Sequence, residues 1–452
     1  MSRAAFALLL VLIFLTALDL SIIGPALNTV AAQWALSERA LSWGIGAYVL
    51  AYLIGLPICA HAADVRGRRP VLLAAITVFV AGSALAAWSP TFGWLLAGRA
   101  LQGIGAGGAA PVVVALIGDA LPADRQASAL GLTGVALGVG FIAGPVIGGL
   151  LLQISWRLLF LVNLPLGAIV LAGLARALPV SAGRPGAAMD WVGIGLLTGA
   201  FAALAIAINA LDLRALGASL RAPTGAPLLA AAAALGAGFV AHARRSAHPV
   251  LDPRLLARRP MLAIYALGFG GGLGRLSVQF VPRMLVLAHG IGDTDASLML
   301  VPAAASFVVA SLAVGRLLRR FGPVPVVVGA GAVFAAGVWV TAGVPASPLA
   351  FYAGSVALSC GLAGISGPPL VFMINQAAPA AERASAQGLL INVQIIGQLT
   401  GSSLIGAIAA SWGAGVGGYT VAYRALAIEA AAMALLAAVA LGGRRATAAR
   451  AG

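Results

Sequence analysis

The sequence predicts an all-α membrane protein of fourteen transmembrane helices, arranged as two pseudo-symmetric six-helix bundles plus two extra central helices. Three observations predict it. Only 9% of the 452 residues are charged and 61% are hydrophobic, with a mean hydropathy of +1.04. A soluble chain of this size has too little polarity there to cover its surface, whereas a lipid-facing chain does not need more. The apolar residues gather into fourteen runs, each near the ~20 residues that a helix needs to cross a ~30 Å hydrocarbon core. Finally, short motifs recur at a nearly constant spacing in the two halves.

In chain order the runs are 5–26, 41–62, 70–88, 92–118, 128–152, 157–177, 189–211, 226–243, 261–287, 294–318, 323–343, 348–375, 385–411 and 420–441. The first begins like a secretory signal, but Asp19 interrupts the region where a cleavage site belongs and the run continues past it, so it reads as a retained helix. The seventh and eighth are Ala-rich and give the flattest signal. The abundance of Gly (59 residues) suits helices that approach closely in lipid.

The net charge of +15 is carried entirely by arginine. In a soluble protein it would suggest nucleic acid, but here the cations sit in the connections, as the positive-inside rule requires. With the N-terminus cytoplasmic, the inner side holds Arg3, Arg66, Arg68, Arg69, Arg125, Arg176, Arg184, Arg244, Arg245, Arg254, Arg258, Arg259, Arg316, Arg319, Arg320, Arg383, Arg444, Arg445 and Arg450. The outer side holds Arg39, Arg157, Arg214, Arg221 and Arg424. An odd number of spans breaks this bias, so both termini are expected in the cytoplasm. Cys59 and Cys360 lie inside apolar runs with no ligand-spaced partner, and His61, His242, His248 and His289 do not cluster. The expectation is therefore no metal, no disulfide framework and no cofactor. Gly103–Gly108 lacks the Lys-Ser/Thr of a phosphate loop and lies inside a span.

The repeat appears at three places. Pro122-Ala-Asp124-Arg125-Gln-Ala-Ser128-Ala-Leu-Gly131 returns as Ala380-Ala-Glu382-Arg383-Ala-Ser385-Ala-Gln-Gly388. Asp19-Leu-Ser-Ile-Ile-Gly-Pro25 returns as Arg275-Leu-Ser-Val-Gln279-Phe-Val-Pro282. The charged turn Asp64-Val65-Arg66-Gly67-Arg68-Arg69 has a weaker echo in Arg316-Leu-Leu-Arg319-Arg320-Phe321-Gly322. The division expected is 1–178 as the N-terminal bundle, 179–259 as a linker with the two extra helices, and 260–452 as the C-terminal bundle. Two repeated bundles around a midplane site are a common build of secondary transporters.

Several motifs carry chemistry. Arg99 lies inside the fourth run, in Arg99-Ala-Leu-Gln102-Gly103-Ile-Gly105, and Asp19 lies inside the first. Charges inside a bilayer are costly and must face protein or water and find partners. Counting rise per residue, Asp19 lies roughly 21 Å above the inner end of its helix and Arg99 roughly 11 Å below the outer end. Both then fall at similar depth, with Arg275 at nearly the same level. Gln102, Gln279, Asn392, Gln394 and Gln398 are candidates for polar lining beside them. Burial favours a neutral carboxyl while a neighbouring guanidinium favours a charged one, a competition by which a proton can be exchanged for a substrate; a fixed structural ion pair is the alternative. Glu429, also inside a span, reads as structural. In the fifth run, Gly134 and Gly138, then Gly140, Gly144, Pro145, Gly148 and Gly149, offer a bare helix face for close packing and a proline where a bend is allowed.

Together these segments resemble the major facilitator superfamily, and within it the fourteen-helix drug:proton antiporter branch. The resemblance runs over most of the chain. Ala60-His-Ala-Ala-Asp64-Val65-Arg66-Gly67-Arg68-Arg69 is similar to the family's G-x-x-x-D-R-x-G-R-R loop, departing at Ala60 and Val65. It implies that Asp64, Arg66, Gly67, Arg68 and Arg69 form a conformational latch; a purely topogenic loop is the alternative. Arg99-x-x-Gln102-Gly103-x-Gly105 is similar to the family's R-x-x-Q-G-x-G, which implies proton transfer at Arg99. Gly140-x-x-x-Gly144-Pro145-x-x-Gly148-Gly149 resembles the antiporter signature and implies export. Leu18-Asp19-Leu-Ser-Ile-Ile-Gly-Pro25, Trp156-Arg157-Leu-Leu-Phe160-Leu-Val-Asn163-Leu-Pro165-Leu-Gly167 and Asp190-Trp191-Val-Gly193 are similar to segments of the same branch. The implied protein is no enzyme. It is a monomer in the bacterial inner membrane, exchanging protons for a small amphipathic compound, with Asp19 and Arg99 coupling the proton and Asp19, Arg99, Gln102, Arg275, Gln279, Gln394 and Gln398 lining the cavity. An uptake or facilitative transporter of the same superfamily, or a non-transporting membrane sensor, is the alternative.

Overall fold

The computed structural model describes all residues except Met1, 180–182, 184–188, 247–248, 252, 256–257, 345–346, 366, 380–381, 414 and 449–452. Arg184 and Arg450 of the arginine pattern, His248, and Ala380 and Ala381 of the repeated motif lie outside the described residues.

Fourteen helices among the described residues are long and apolar enough to cross a membrane: α1 (Arg3–Trp34), α2 (Glu38–Arg66), α3 (Arg68–Ala87), α4 (Phe92–Ala120), α5 (Leu132–Leu152), α6 (Leu158–Ala177), α7 (Trp191–Ala210), α8 (Ala226–Arg245), α9 (Pro260–His289), α10 (Asp293–Phe321), α11 (Pro323–Ala342), α12 (Pro348–Ala377), α13 (Ser385–Ser411) and α14 (Val416–Leu441). Each corresponds to one apolar run. Several extend beyond it because the polar residues at their ends find partners. α1 continues to Trp34 and stops where Ala35 adopts a left-handed conformation with φ +50°. Interruptions follow backbone chemistry. α9 passes through a 3₁₀ turn at Val278–Phe280 before Pro282. α12 breaks between Ile365 and Pro368, where a proline lacks the N–H that would continue the ladder. Asp190 begins α7 by accepting the Gly193 N–H at 2.8 Å, which gives the Asp190–Gly193 motif its physical content as a helix cap.

The chain divides into two units, residues 1–198 with 291–298, and residues 199–290 with 299–452. In the first, α1 packs on α5 while α2 and α3 pack on α4. Its core is aliphatic, with Leu9, Leu72, Ile76, Val113, Ile117 and Leu174 buried together. In the second unit, α9 packs on α13 while α10 and α11 pack on α12, around Met261, Ile264, Tyr265, Leu370, Ile374 and Leu390. The same pairing thus recurs eight helices later, as an internal duplication requires. The turns agree as well. α2 and α3 are joined through Gly67 at φ +94° and ψ 151°, α10 and α11 through Gly322 at φ +77° and ψ 173°. Both are conformations that glycine adopts at no steric cost.

Glu429 on α14 lies within the second unit. Its Oε1 atom is buried and has no hydrogen-bond partner among the described residues. It reaches the α9 backbone where Gly270 has no side chain; a methyl group there would lie 2.5 Å from that oxygen. The adjoining cavity of about 10 Å³ is lined otherwise by apolar groups of α9, α11, α12 and α14, so nothing among the described residues compensates this oxygen. Replacing it by an apolar group of similar length is therefore expected to stabilise the fold by about 1–3 kcal/mol, the cost of one unsatisfied buried group. A Glu429→Met protein should unfold at a higher temperature in detergent than the wild type; a lower midpoint would contradict this account.

Candidate functional site

Asp19 on α1 and Arg99 on α4 are both fully buried, at 0% exposure, and they form an ion pair with Arg99 Nη1 2.7 Å from Asp19 Oδ2. α4 can bring its arginine this close because the facing backbones touch. A methyl group at Gly103 would strike the Tyr48 carbonyl of α2, and one at Gly98 would lie 2.6 Å from the Ala86 nitrogen of α3. The remaining donors of the guanidinium are then placed one by one. Nη1 also donates to Gln102 Oε1 at 2.9 Å, and Nε donates to the Gly44 carbonyl at 3.2 Å. The guanidinium carbon stands 4.4 Å from the centre of the Tyr48 ring, a cation–π position of the kind favoured where water is excluded. Nη2 has no hydrogen-bond partner among the described residues.

The carboxylate is satisfied as fully. Asp19 Oδ1 accepts from Gln102 Nε2 at 2.6 Å and from Asn163 Nδ2 at 2.7 Å. Gln102 Nε2 also donates to Ser83 Oγ at 2.8 Å. Helices α1, α3, α4 and α6 each contribute one or more of these groups. Of the residues expected from the sequence, the structure brings together Asp19, Arg99 and Gln102. Asn163, Ser83 and Tyr48 complete the cluster and were not expected there. Asn163 did carry a signal, as the polar residue of the Trp156–Gly167 motif. The structure explains that whole motif: the Trp156 indole N–H donates to Gln33 Oε1 at 2.7 Å, the Phe160 ring lies 5.9 Å from the Arg99 guanidinium carbon, and Asn163 reaches Asp19. Ser83 and Tyr48 sit in ordinary apolar helix sequence and had none.

Chemically, such a cluster can change state in one way. Guanidinium does not lose its proton in a protein, whereas a carboxylate can take one. A proton on Asp19 removes the anion from Arg99 and leaves neutral amides to hold the cation.

The glycine face of α5 positions the Asp19 segment of α1. A methyl group at Gly140 would meet the Phe14 carbonyl at 2.5 Å; at Gly144 it would strike Ser21 Oγ and lie 2.7 Å from Ser21 Cβ; at Gly148 it would lie 3.1 Å from the Ile22 carbonyl. Ser21 and Ile22 follow Asp19 within one turn. Gly149 faces the segment 291–298 instead: Thr294 donates to its carbonyl at 2.8 Å, and Asp293 accepts from Asn28 at 2.7 Å and Thr29 at 2.6 Å. The face is shorter than the sequence predicted, because Gly134 and Gly138 meet open space and pack against nothing. Pro145 lies inside the continuous helix.

In the Asp64–Arg69 turn, Arg68 Nε pairs with Asp119 Oδ2 of α4 at 2.5 Å, and Arg69 donates to the Ala175 carbonyl of α6. The trailing arginines therefore fasten α3 within its own unit. Arg66 and Asp64 are exposed, and Asp64 forms no ion pair among the described residues. The other expected lining residues belong to the second unit. Gln279 and Gln398 are buried there, Arg275 and Gln394 are half-buried, and Asn392 donates to the Gly388 carbonyl of its own helix at 2.9 Å.

Comparison with known proteins places this geometry. The model of the Major Facilitator Superfamily matches residues 9–288. An MFS-type transporter of Mycobacterium tuberculosis is 33% identical over 308 residues, which is 67% of this chain and 44% of that protein, so the chain spans less than half the length of that relative. The drug efflux pump JefA of the same species is 29% identical over 410 residues, covering 88% of this chain and 79% of the pump. Among solved structures, the xylose transporter XylE from E. coli in a partially occluded inward-open conformation superposes with a TM-score of 0.67 at 14% identity, covering 96% of each chain, a likeness of fold. This chain is an integral membrane protein, and it belongs to the Major Facilitator Superfamily.

Proposed function

We propose that the protein is a proton-coupled exporter of small amphipathic compounds, working by alternating access in a bacterial inner membrane with both termini in the cytoplasm. The observation that carries this reading is the fully buried Asp19–Arg99 pair, enclosed by Gln102 and Asn163. An intramembrane ion pair is expensive to build and marks a pathway more often than a brace. In the proposed cycle a proton taken up by Asp19 releases Arg99, and loss of the proton restores the pair. Support for export rather than uptake comes from the glycine face Gly140–Gly149, which resembles the antiporter signature, and from relatives named efflux pumps. Within the spans, the acids Asp19 and Glu429 stand against Arg99, Arg275 and Arg283, a balance that favours neutral or anionic amphiphiles over cations. Asp64 and the adjoining arginines serve in this reading as the latch of one access state.

The direction of flux tests the proposal. Purified protein is reconstituted in vesicles with an imposed pH gradient and offered a panel of cationic, anionic and neutral fluorescent amphiphiles. The expected result is substrate movement opposite to the proton flux. Movement in the same direction would replace antiport by symport, and movement indifferent to the gradient would replace it by facilitated diffusion.

A further inference from the structure

The second unit carries an open groove of about 490 Å³ between α10, α11 and α12, lined by Leu317, Phe321, Val326, Gly329, Val333 and Cys360 among other apolar residues. Beyond the Cys360 thiol, no side chain of its lining donates or accepts a conventional hydrogen bond, so water gains nothing by filling it. Glycine keeps it open: a methyl group at Gly329 would meet nothing within 4 Å. At one end the groove reaches the last turn of α10, where the membrane-spanning stretch ends and lipid phosphates lie. There Phe321 is both a wall of the groove and the platform for a cation, with the Arg320 guanidinium carbon 5.2 Å from its ring centre. Arg316 and Arg319 occupy the same end of the helix, and all three arginines are exposed.

Arg68 pairs with Asp119 and Arg258 with Glu382, whereas Arg316, Arg319 and Arg320 form no ion pair among the described residues. The carbonyl end of α10 eases their charge through the helix dipole but supplies no counter-ion. The juxtaposition is thus an apolar channel opening directly beside three cations that form no ion pair among the described residues. One molecule matches both parts at once. We infer that this groove takes an acyl chain of an anionic phospholipid, with the lipid phosphate held by Arg316, Arg319 and Arg320. The topogenic role of the same arginines needs no groove, and the groove alone needs no charge; the lipid accounts for their being together.

The test is native mass spectrometry of the full-length protein in detergent, titrated with phosphatidylglycerol and with phosphatidylcholine of identical acyl chains. Wild-type protein is expected to retain phosphatidylglycerol about a hundredfold better, since each of the three basic residues near an anionic headgroup contributes roughly fivefold. R319Q/R320Q should lower that retention by about 25-fold on the same scale and leave phosphatidylcholine unchanged. Gly329→Leu, whose Cβ meets nothing within 4 Å and whose side chain occupies the groove, should lower retention of both lipids. Arg424→Gln, whose arginine stacks on Trp339 at 5.6 Å, is the control and should change neither. Equal retention of the two lipids by wild-type protein would overturn the assignment, as would undiminished phosphatidylglycerol on R319Q/R320Q. Displacement of the lipid by soluble glycerol phosphate at equal concentration would reassign the arginines to a free anion and overturn it too. The charge and groove variants act on separate parts, so either one alone decides the matter if the other fails to give monodisperse protein.

Discussion

Asp19→Asn protein is expected to lose gradient-driven transport entirely, falling to the level of empty vesicles, while still inserting and folding. The substitution keeps shape and removes charge. Arg99 then faces an amide in place of its only anion among the described residues, the ion pair at 2.7 Å is gone, and whichever way the amide turns its new NH2 group confronts a donor, Gln102 and Asn163 on one side or Arg99 on the other. Breaking one side of a buried pair typically costs about 3–5 kcal/mol, so the thermal midpoint in detergent should drop visibly as well. The double variant Asp19→Asn with Arg99→Gln separates the two consequences. It carries no orphaned charge and should recover much of the lost stability, since residues in one hydrogen-bonded network couple strongly. If the pair were only a brace, transport would return along with stability. If Asp19 carries the proton, the double variant is stable and inert. Full gradient-driven transport by Asp19→Asn alone would end the coupling proposal.

The second large effect is steric. Gly144→Leu should prevent accumulation of functional protein, and Gly144→Ala should destabilise by about 1–3 kcal/mol, the usual range for overpacking. The reason is local: the added carbon meets Ser21 Oγ, and even with that hydroxyl moved aside it stands 2.7 Å from Ser21 Cβ and 2.9 Å from the Ser21 carbonyl carbon. Rotating a side chain does not relieve the last contact, so α1 has to move, and Asp19 moves with it. Ser21→Gly in the same chain as Gly144→Ala should restore part of the loss. Gly134→Ala and Gly138→Ala, about ten and six residues earlier on the same helix, should be neutral or slightly stabilising, because both positions face open space and alanine is the better helix former. Thermal unfolding of the four proteins settles the point; equal effects at Gly134 and Gly144 would mean that the α1 contact is not what the glycines serve.

Much of the architecture was legible in the sequence because hydropathy reports what lipid demands. The fourteen runs became fourteen helices, and the repeat of Asp19–Pro25 in Arg275–Pro282 announced a pairing scheme that the second unit does reuse. What hydropathy does not sense is hydrogen-bond geometry. The 3₁₀ turn at Val278–Phe280 and the break before Pro368 leave the apolar run unbroken, and α1 runs on through Asn28, Thr29 and Gln33 because each of those polar side chains has a partner from another part of the chain. The same limit applies to the site. Asp19, Arg99 and Gln102 stood out as charges and amides where lipid permits few, but Ser83 and Tyr48 are unremarkable in sequence and became part of the cluster only through the helix packing. The glycine pattern shows the opposite failing: Gly134 and Gly138 have the right spacing but no neighbour, since spacing defines a face and not what covers it.

The separation of the ion pair along the chain has a consequence for how the protein is made. Asp19 and Arg99 are 80 residues apart, and Asn163 follows Asp19 by 144. At about 5–20 residues per second, the ribosome completes Asp19 roughly 4–16 s before Arg99 exists, and the asparagine comes later still. During that interval α1 must enter the membrane with an aspartate that has no counter-ion, at a cost of about 2.5–3.5 kcal/mol on the insertion scale, offset by the leucines and isoleucines on either side of it. The nascent first helix therefore carries an acid without its cation until α4 arrives. A chain truncated between α3 and α4 should leave α1 more open to membrane proteolysis than the full-length chain, because Asp19 then lacks its cation.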